Sequence, residues 1–299
     1  LPGAKETAQE ASVAGRHCSY AEIAALSALD AKALHDALAE LTGAQILTAQ
    51  GDAPAGGYAF RHALLRDAAY DSLLKSRRAA LHERLLTHLR GQPDAALELL
   101  AWHAEAAGRR AEALDLWRKA GEAAMARPAF REAIAHFRRA TSLADGAEAL
   151  AVETRLGLAS IAAHGHSHPD TVAIFEAASK RPGLDRDAAA SFVVWYGLWC
   201  GHHVRGEAHL AQGSAAALHA ASLAHGAPAN VMMGVRSLGI TALMNGDARE
   251  ALARHAEAEA MENIPRDRAQ AQIVGQDQSV SFRSYYGLTL WLSGQGTRA

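Results

Sequence analysis

The chain has 299 residues, 49% apolar but only 6% aromatic, with 30 Lys+Arg against 32 Asp+Glu and a formal net charge of −2. That is long for one compact domain, and alanine, which dominates the apolar share, suits closely crossing helices better than a bulky sheet core, so an all-α chain of two domains or a repeat array is expected. The charge balance excludes a global pull toward nucleic acid or anionic membranes, two distant cysteines (Cys18 and Cys200) give no disulfide or Cys-based zinc framework, and no run reaches the roughly 18 apolar residues of a membrane span.

In chain order, "AKETAQEASVAG" spaces Ala4, Ala8, Ala11 and Val13 helically and stops at Gly15. "SYAEIAALSALD" offers Ser19 as an N-cap with Glu22 three residues on, a capping box that opens a second short helix. Asp30 caps a third helix, in which Leu34, Leu38 and Leu41 share one face. "ILTAQ" and "YAFRH" then flank the turn "GDAPAGG" as a β-hairpin. Three short helices followed by a hairpin describe a winged helix-turn-helix, expected over residues 1–75. Its third helix sets Lys32 against Asp36 and Glu40 and has no arginine or asparagine to engage base edges, so a structural role is favoured over DNA reading.

Helical patterning runs on over 76–299 with the spacing of tetratricopeptide repeats. "LWRKAGEAAMARPAFREAIAHFRRA" places Trp117, Gly121, Ala133, Phe137 and Ala140 at the signature offsets. "VRSLGITALMNGDAREALARHAEAEAMENIP" supplies Leu238, Gly239, a turn at Gly246-Asp247, Ala251, Ala258 and Pro265. Weaker copies carry Gly108 with Ala113, Gly206 with Ala211, and Gly287, Gly294 and Ala299. An α-solenoid of antiparallel helix pairs is therefore expected, each pair burying its apolar face on the next, with protein segments as the usual ligands. The chain begins at Leu1 and stops at "GQGTRA" inside an apparent helix, so it is expected to be a piece of a longer, cytoplasmic polypeptide.

Candidate chemistry is sparse. "HGHSHPD" alternates His164, His166 and His168 before Asp170, a set that either chelates Zn or Ni through imidazole nitrogens or forms a solvated loop. His202 and His203 end an aromatic helix, where packing and the helix dipole are the expected roles. Trp102, Trp117, Trp195, Trp199 and Trp291 are either stacking platforms or, more in keeping with helix-pair spacing, core. No P-loop, nucleophile elbow or H-E-x-x-H is present, and His103 and Glu105 fall on different helix faces, so no catalytic residue and no cofactor is assigned.

"YAFRHALLRDAAYDSLLKSRRAALHERL" (Tyr58 to Leu85) resembles a segment of large bacterial proteins that combine a class III adenylate/guanylate cyclase, a STAND-type AAA ATPase and tetratricopeptide repeats; Phe60, Arg61, His62, Ala63, Leu64, Asp67, Ala68, Ala69, Tyr70, Ser72, Leu73 and Leu74 carry the likeness. "ELLAWHAEAAGRRAEALDLWRKAG" and "GQDQSVSFRSYYGLTLWLSG" resemble their repeats, while "HGHSHPD" departs from the expected turn. The resemblance implies a parent that binds ATP and Mg through an upstream module, in many members beside a cyclase, and a C-terminal half that senses a partner or effector and holds or releases that ATPase. Phe60, Arg61, His62, Asp67, Tyr70, Arg77 and Arg78 are expected at the joint between winged helix and solenoid. Leu65, Ala69 and Leu73 form a stripe expected to pack on the first repeat, and Arg77 and Arg78 an outward, solvated or ATPase-facing surface. The alternatives are an ATP-dependent transcriptional regulator, binding duplex through Arg61, Arg66, Lys75, Arg77 and Arg78, and a histidine-based metal binder.

Overall fold

A computed structural model describes residues 3–51, 57–269 and 277–298. Its helices are α1 (Ala4–Ala14), α2 (Tyr20–Leu26), α3 (Ala31–Gly43), α4 (Ala63–Asp71), α5 (Lys75–Arg90), α6 (Leu97–Ala106), α7 (Arg110–Ala126), α8 (Phe130–Leu143), α9 (Gly146–His164), α10 (Pro169–Ser179), α11 (Ala188–Val204), α12 (Ala208–His225), α13 (Pro228–Met244), α14 (Ala248–Met261), α15 (Ile264–Ala269) and α16 (Gln278–Leu292). The strands are β1 (His17–Cys18), β2 (Leu47–Ala49) and β3 (Tyr58–Phe60). The chain is all-α with one small sheet among the described residues, and it divides into two compact units, Leu1–Ala120 and Gly121–Ala299. The expected division at 75/76 falls inside the first unit, between α4 and α5.

In the first unit, α1, α2 and α3 are bounded where the sequence says. Ser19 accepts from the Glu22 N–H while Glu22 bonds back to the Ser19 N–H, and Asp30 accepts from the Ala33 N–H, so orphan amides at both N-termini are satisfied locally. Leu34, Leu38 and Leu41 are buried together with Ile23, Leu47, Tyr58 and Phe60. The sheet is antiparallel in the order β1-β3-β2, with Cys18 opposite Tyr58 and Leu47 opposite Phe60. The first strand, β1, has only two residues and is invisible to a periodicity argument. The turn expected at 52–56 lies outside the described residues. All of β3 is buried, because β1 and β2 flank it on both edges and helices cover its faces, and Tyr58 and Phe60 both enter the core.

In the second unit consecutive helices pack on one another from α8 to α14, and helices further apart in sequence also meet: α9 on α11, α11 on α13, α13 on α16. Small residues set these approaches. A Cβ on Gly121 would lie 2.5 Å from Cε1 of Phe137, and one on Gly239 would lie 2.7 Å from Cδ2 of His255, so both expected signature glycines sit where an aromatic ring from the following helix presses on backbone. Ala133, Ala140, Ala251 and Ala258 are fully buried, and Phe137 is 1% exposed. Gly246 and Gly294 end α13 and α16 in left-handed turns, which a residue with a Cβ adopts only under strain.

Candidate interaction site around Tyr58 to Leu85

Strand β3, helix α4 and the first part of α5 arise from Tyr58 to Leu85. The break comes at Ser72-Leu73-Leu74, where Leu74 takes an extended conformation before α5. The guanidinium of Arg78 turns back and donates to the carbonyls of Tyr70 (3.0 Å), which also accepts the Leu73 N–H (3.2 Å), and of Leu73 (3.3 Å), and it stacks 4.2 Å from the Tyr70 ring centroid. Its neighbour Arg77 is half exposed and pairs at 3.4 Å with Glu10 of α1, whose carboxyl burial holds above the ordinary range against the opposing pull of Ser27, Arg77 and Arg84. The outward arginine surface expected from sequence is thus only half present: Arg78 belongs to the interior of the joint and Arg77 to its edge.

The Leu65–Ala69–Leu73 stripe also lands differently. Leu65 and Ala69 pack on the core of α1, α3 and the sheet, and Leu73 alone joins Leu81, Leu85 and Leu89 of α5 against Val13 and Leu26. The helix α4 folds back on the first module because α1 offers a continuous face of Ala4, Ala8 and Ala11. The joint is consequently made by α5, which meets α1 and α2 on one side and α6 on the other.

At its centre is a buried polar chain. The Tyr70 hydroxyl lies 2.9 Å from Nε2 of His82, and Nδ1 of His82 lies 2.9 Å from Nδ1 of His103, with the Trp102 ring edge-on to His82 at 4.9 Å. Two facing Nδ1 atoms make a hydrogen bond only if one carries the proton and the other does not. Burial drives the His82 pKa down to about 4, helped by Arg78, and that of His103 down to about 3, helped by His82, so both rings are neutral near pH 7. Sequence reading placed Tyr70 here but missed its two partners, which stand 12 and 33 positions on. A histidine at an otherwise apolar position of each helix face was the available signal.

Other residues of the segment face outward. Arg61 and His62 are exposed, Asp67 is half-buried and pairs with Arg66 at 2.6 Å, and two large apolar side chains stand in solvent: Leu64 is 79% exposed and Leu74 77%. α4 buries none of its own residues completely. Leu64 at the start of α4, beside Arg61 and His62 in sequence, and Leu74 just after its end, beside Lys75, thus stand in solvent at the two ends of this helix.

The remaining candidates separate. The rings of His164 and His168 lie 4.6 Å apart, centroid to centroid, and Nδ1 of His168 accepts the Asp170 N–H as the N-cap of α10, whereas His166 turns inward, edge-on to Tyr196 with its pKa lowered by burial; two of the three alternating histidines therefore meet and the third does not. Among the described residues no group of three or more His, Cys, Asp or Glu is placed to hold a metal ion. The helix α3 exposes Lys32, His35 and Asp36, a face of mixed sign. Trp117 and Trp199 are buried and bonded through Nε1, to Glu105 and Thr241, while Trp291 is 65% exposed. His202 bonds Ser214, and His203 stacks on Trp199 and bonds Tyr285. Gly287 is half-buried, and Ala299 lies outside the described residues. No helix among the described residues is long and apolar enough to cross a membrane.

No protein-family model matches the chain. An uncharacterized protein of Rhizobium meliloti (strain 1021) is 31% identical to it over 216 residues, which are 67% of this chain and 21% of that protein; the chain thus spans about a fifth of this relative's length. Among solved structures, a Signal Transduction ATPase with Numerous Domains (STAND) protein with a tetratricopeptide repeat sensor, from Pyrococcus horikoshii, aligns over 97% of this chain and 47% of its own, with 11% identity and a TM-score of 0.44.

Proposed function

We propose that the chain is a non-catalytic regulatory and protein-interaction region of a multidomain signalling ATPase. In this reading the helical array senses a partner or effector, and the N-terminal module transmits its state to an ATPase module that binds ATP and Mg, in some members beside a cyclase. The observation that carries the proposal is the division of labour within Phe60 to Leu74. Phe60, Leu65, Ala69, Tyr70 and Leu73 pack into the first unit, whereas Arg61, His62, Leu64 and Leu74 stand outside any core of this chain. Solvent-facing leucines are a cost to a free domain and a use to a docked one. The mechanism is a population shift: an effector that favours one geometry of the joint favours the nucleotide state compatible with it, by no more than its own differential affinity.

The test is ATP turnover by the full polypeptide carrying L64E/L74E. Both side chains are exposed, so folding should be retained, and effector-dependent or basal turnover should change by at least about tenfold if these leucines are docking anchors. Turnover equal to wild type in a folded variant overturns the proposal. A transcriptional role has less support, because the exposed face of α3 offers no cationic stripe.

A further inference from the structure

An open cleft of about 500 Å³ lies within the second unit, bordered by the turn that joins α10 to α11, by α11 and by α12. Ligand sites have this size, and they pair apolar walls with a few placed polar groups. Leu184 and Ala188 form one wall, and Ala217, Ala220, Ala221 and Ala224 of α12 the other. Arg181, Asp185, Ser191 and Trp195 bring polar atoms to it. Ser191 is only 9% exposed, yet its hydroxyl has no hydrogen-bond partner among the described residues. Trp195 follows one turn later on the same face of α11, half-buried, with its indole N–H equally unpartnered. Arg181 is held along one edge by Glu153 of α9: Nε donates to Oε2 at 3.0 Å and Nη2 to Oε1 at 2.5 Å, while Nη1 has no partner. Asp185 is exposed, and its carboxylate makes neither an ion pair nor a hydrogen bond.

We propose that this cleft binds a small zwitterion with an apolar side chain, a free α-amino acid or a short peptide. The balance of charge selects the class. Glu153, with Asp145 at longer range, already compensates Arg181, so a bare anion gains little there. A bare cation on Asp185 leaves the donors of Arg181, Ser191 and Trp195 unmet. A molecule that carries both a carboxylate and an ammonium group serves the donors and Asp185 together, and it brings no net charge into the cleft. Its carboxylate takes Nη1 of Arg181 with the Ser191 hydroxyl or the Trp195 N–H, its ammonium takes Asp185, and its side chain lies on the alanines of α12. Occupancy ties the turn between α10 and α11 to α12, which gives the helical array a ligand-dependent contact. The inference names a chemistry for the effector of the sensing role proposed above, but binding to this chain is measured without ATP, so either can fail while the other stands.

The experiment is isothermal titration calorimetry of the full chain with L-leucine, L-phenylalanine and the dipeptide L-leucyl-L-phenylalanine. Saturable binding of at least one is expected; an amino acid alone identifies a free amino acid as the ligand class, and the dipeptide alone a short peptide. The N-acetylated and the C-amidated forms of the probe that binds each lack one charge, and each should bind at least about tenfold more weakly. Asp185→Asn changes an exposed side chain with no partner in the chain and should weaken binding by about tenfold. Ala220→Trp fills the cleft from an exposed helix position and should abolish binding. No saturable binding of any probe, equal binding of a blocked form, or wild-type affinity in A220W overturns the proposal. Should A220W fail to fold, D185N decides it, because unchanged affinity in that variant overturns the proposal as well.

Discussion

Gly121 and Phe137 carry the repeat signature because one cannot tolerate what the other needs. The ring of Phe137 occupies the volume a Cβ on residue 121 would take, at 2.5 Å from Cε1, and Phe137 is itself 1% exposed with nowhere to retreat. Gly121→Ala should therefore destabilise the second unit by about 1–3 kcal/mol despite alanine's higher helix propensity, and a second change, Phe137→Leu, should recover part of the loss. Urea unfolding of the two variants tests this; a G121A protein as stable as wild type would remove steric exclusion as the reason for the glycine. The His82–His103 pair makes a different demand. Their folded pKa values, about 4 and about 3, lie below the unfolded value of 6.5, so between these limits the unfolded chain binds more protons than the folded one. Stability is thus fully present above about pH 6.5 and falls as pH drops through the window toward 4 and then 3, with a slope of up to about 1.4 kcal/mol per pH unit for each ring. Denaturation midpoints between pH 7 and 4 should show that decline, and His103→Phe should flatten it; an unchanged slope would mean that the pair titrates normally.

Element boundaries depend on a few polar contacts. The Ser19–Glu22 box starts α2, and Ser19→Ala should cost about 1 kcal/mol, read from the urea midpoint. The end of α4 depends on something no local motif announces, the return of Arg78 from the next helix. Arg78→Ala removes two charge-assisted bonds and a stacked ring together, and a loss of about 1.5–3 kcal/mol is expected. Arg77→Ala should lose less, since Arg77 is half exposed and Arg84 also bears on Glu10. Equal losses from the two would contradict the inward placement of Arg78. Capping residues were legible in advance because their partners sit three positions away. The α4 to α5 break has no such local signal, because its determinant is a tertiary contact.

For the whole molecule, net charge near zero and the mixed face of α3 lead to a plain expectation. The chain should give no salt-dependent shift of duplex DNA even at low ionic strength, and a steep dependence of binding on salt would overturn the non-DNA reading of the first unit. The contact division at 120/121 places the family-like segment inside the first unit, because α5 buries Leu81, Leu85 and Leu89 against Val13 and Leu26. A boundary at 75/76 follows when composition and motif are the only guide, since short helices and a hairpin give way near there to continued helical patterning.

By itself the sequence determined the class, the first three helices with the two caps at Ser19 and Asp30, the two later strands and the glycine–alanine frame of the repeats. Each of these rests on residues within one or two turns of one another, where periodicity, capping and the left-handed preference of glycine act directly. Only the tertiary structure decided that β1 completes the sheet, that α4 folds back on α1, that Tyr70, His82 and His103 form one buried chain, and that Arg236 of α13 is buried with Ser281 of α16 as a partner. Those depend on which faces meet across 12 to 60 positions, a choice made by packing and desolvation and not by any local pattern.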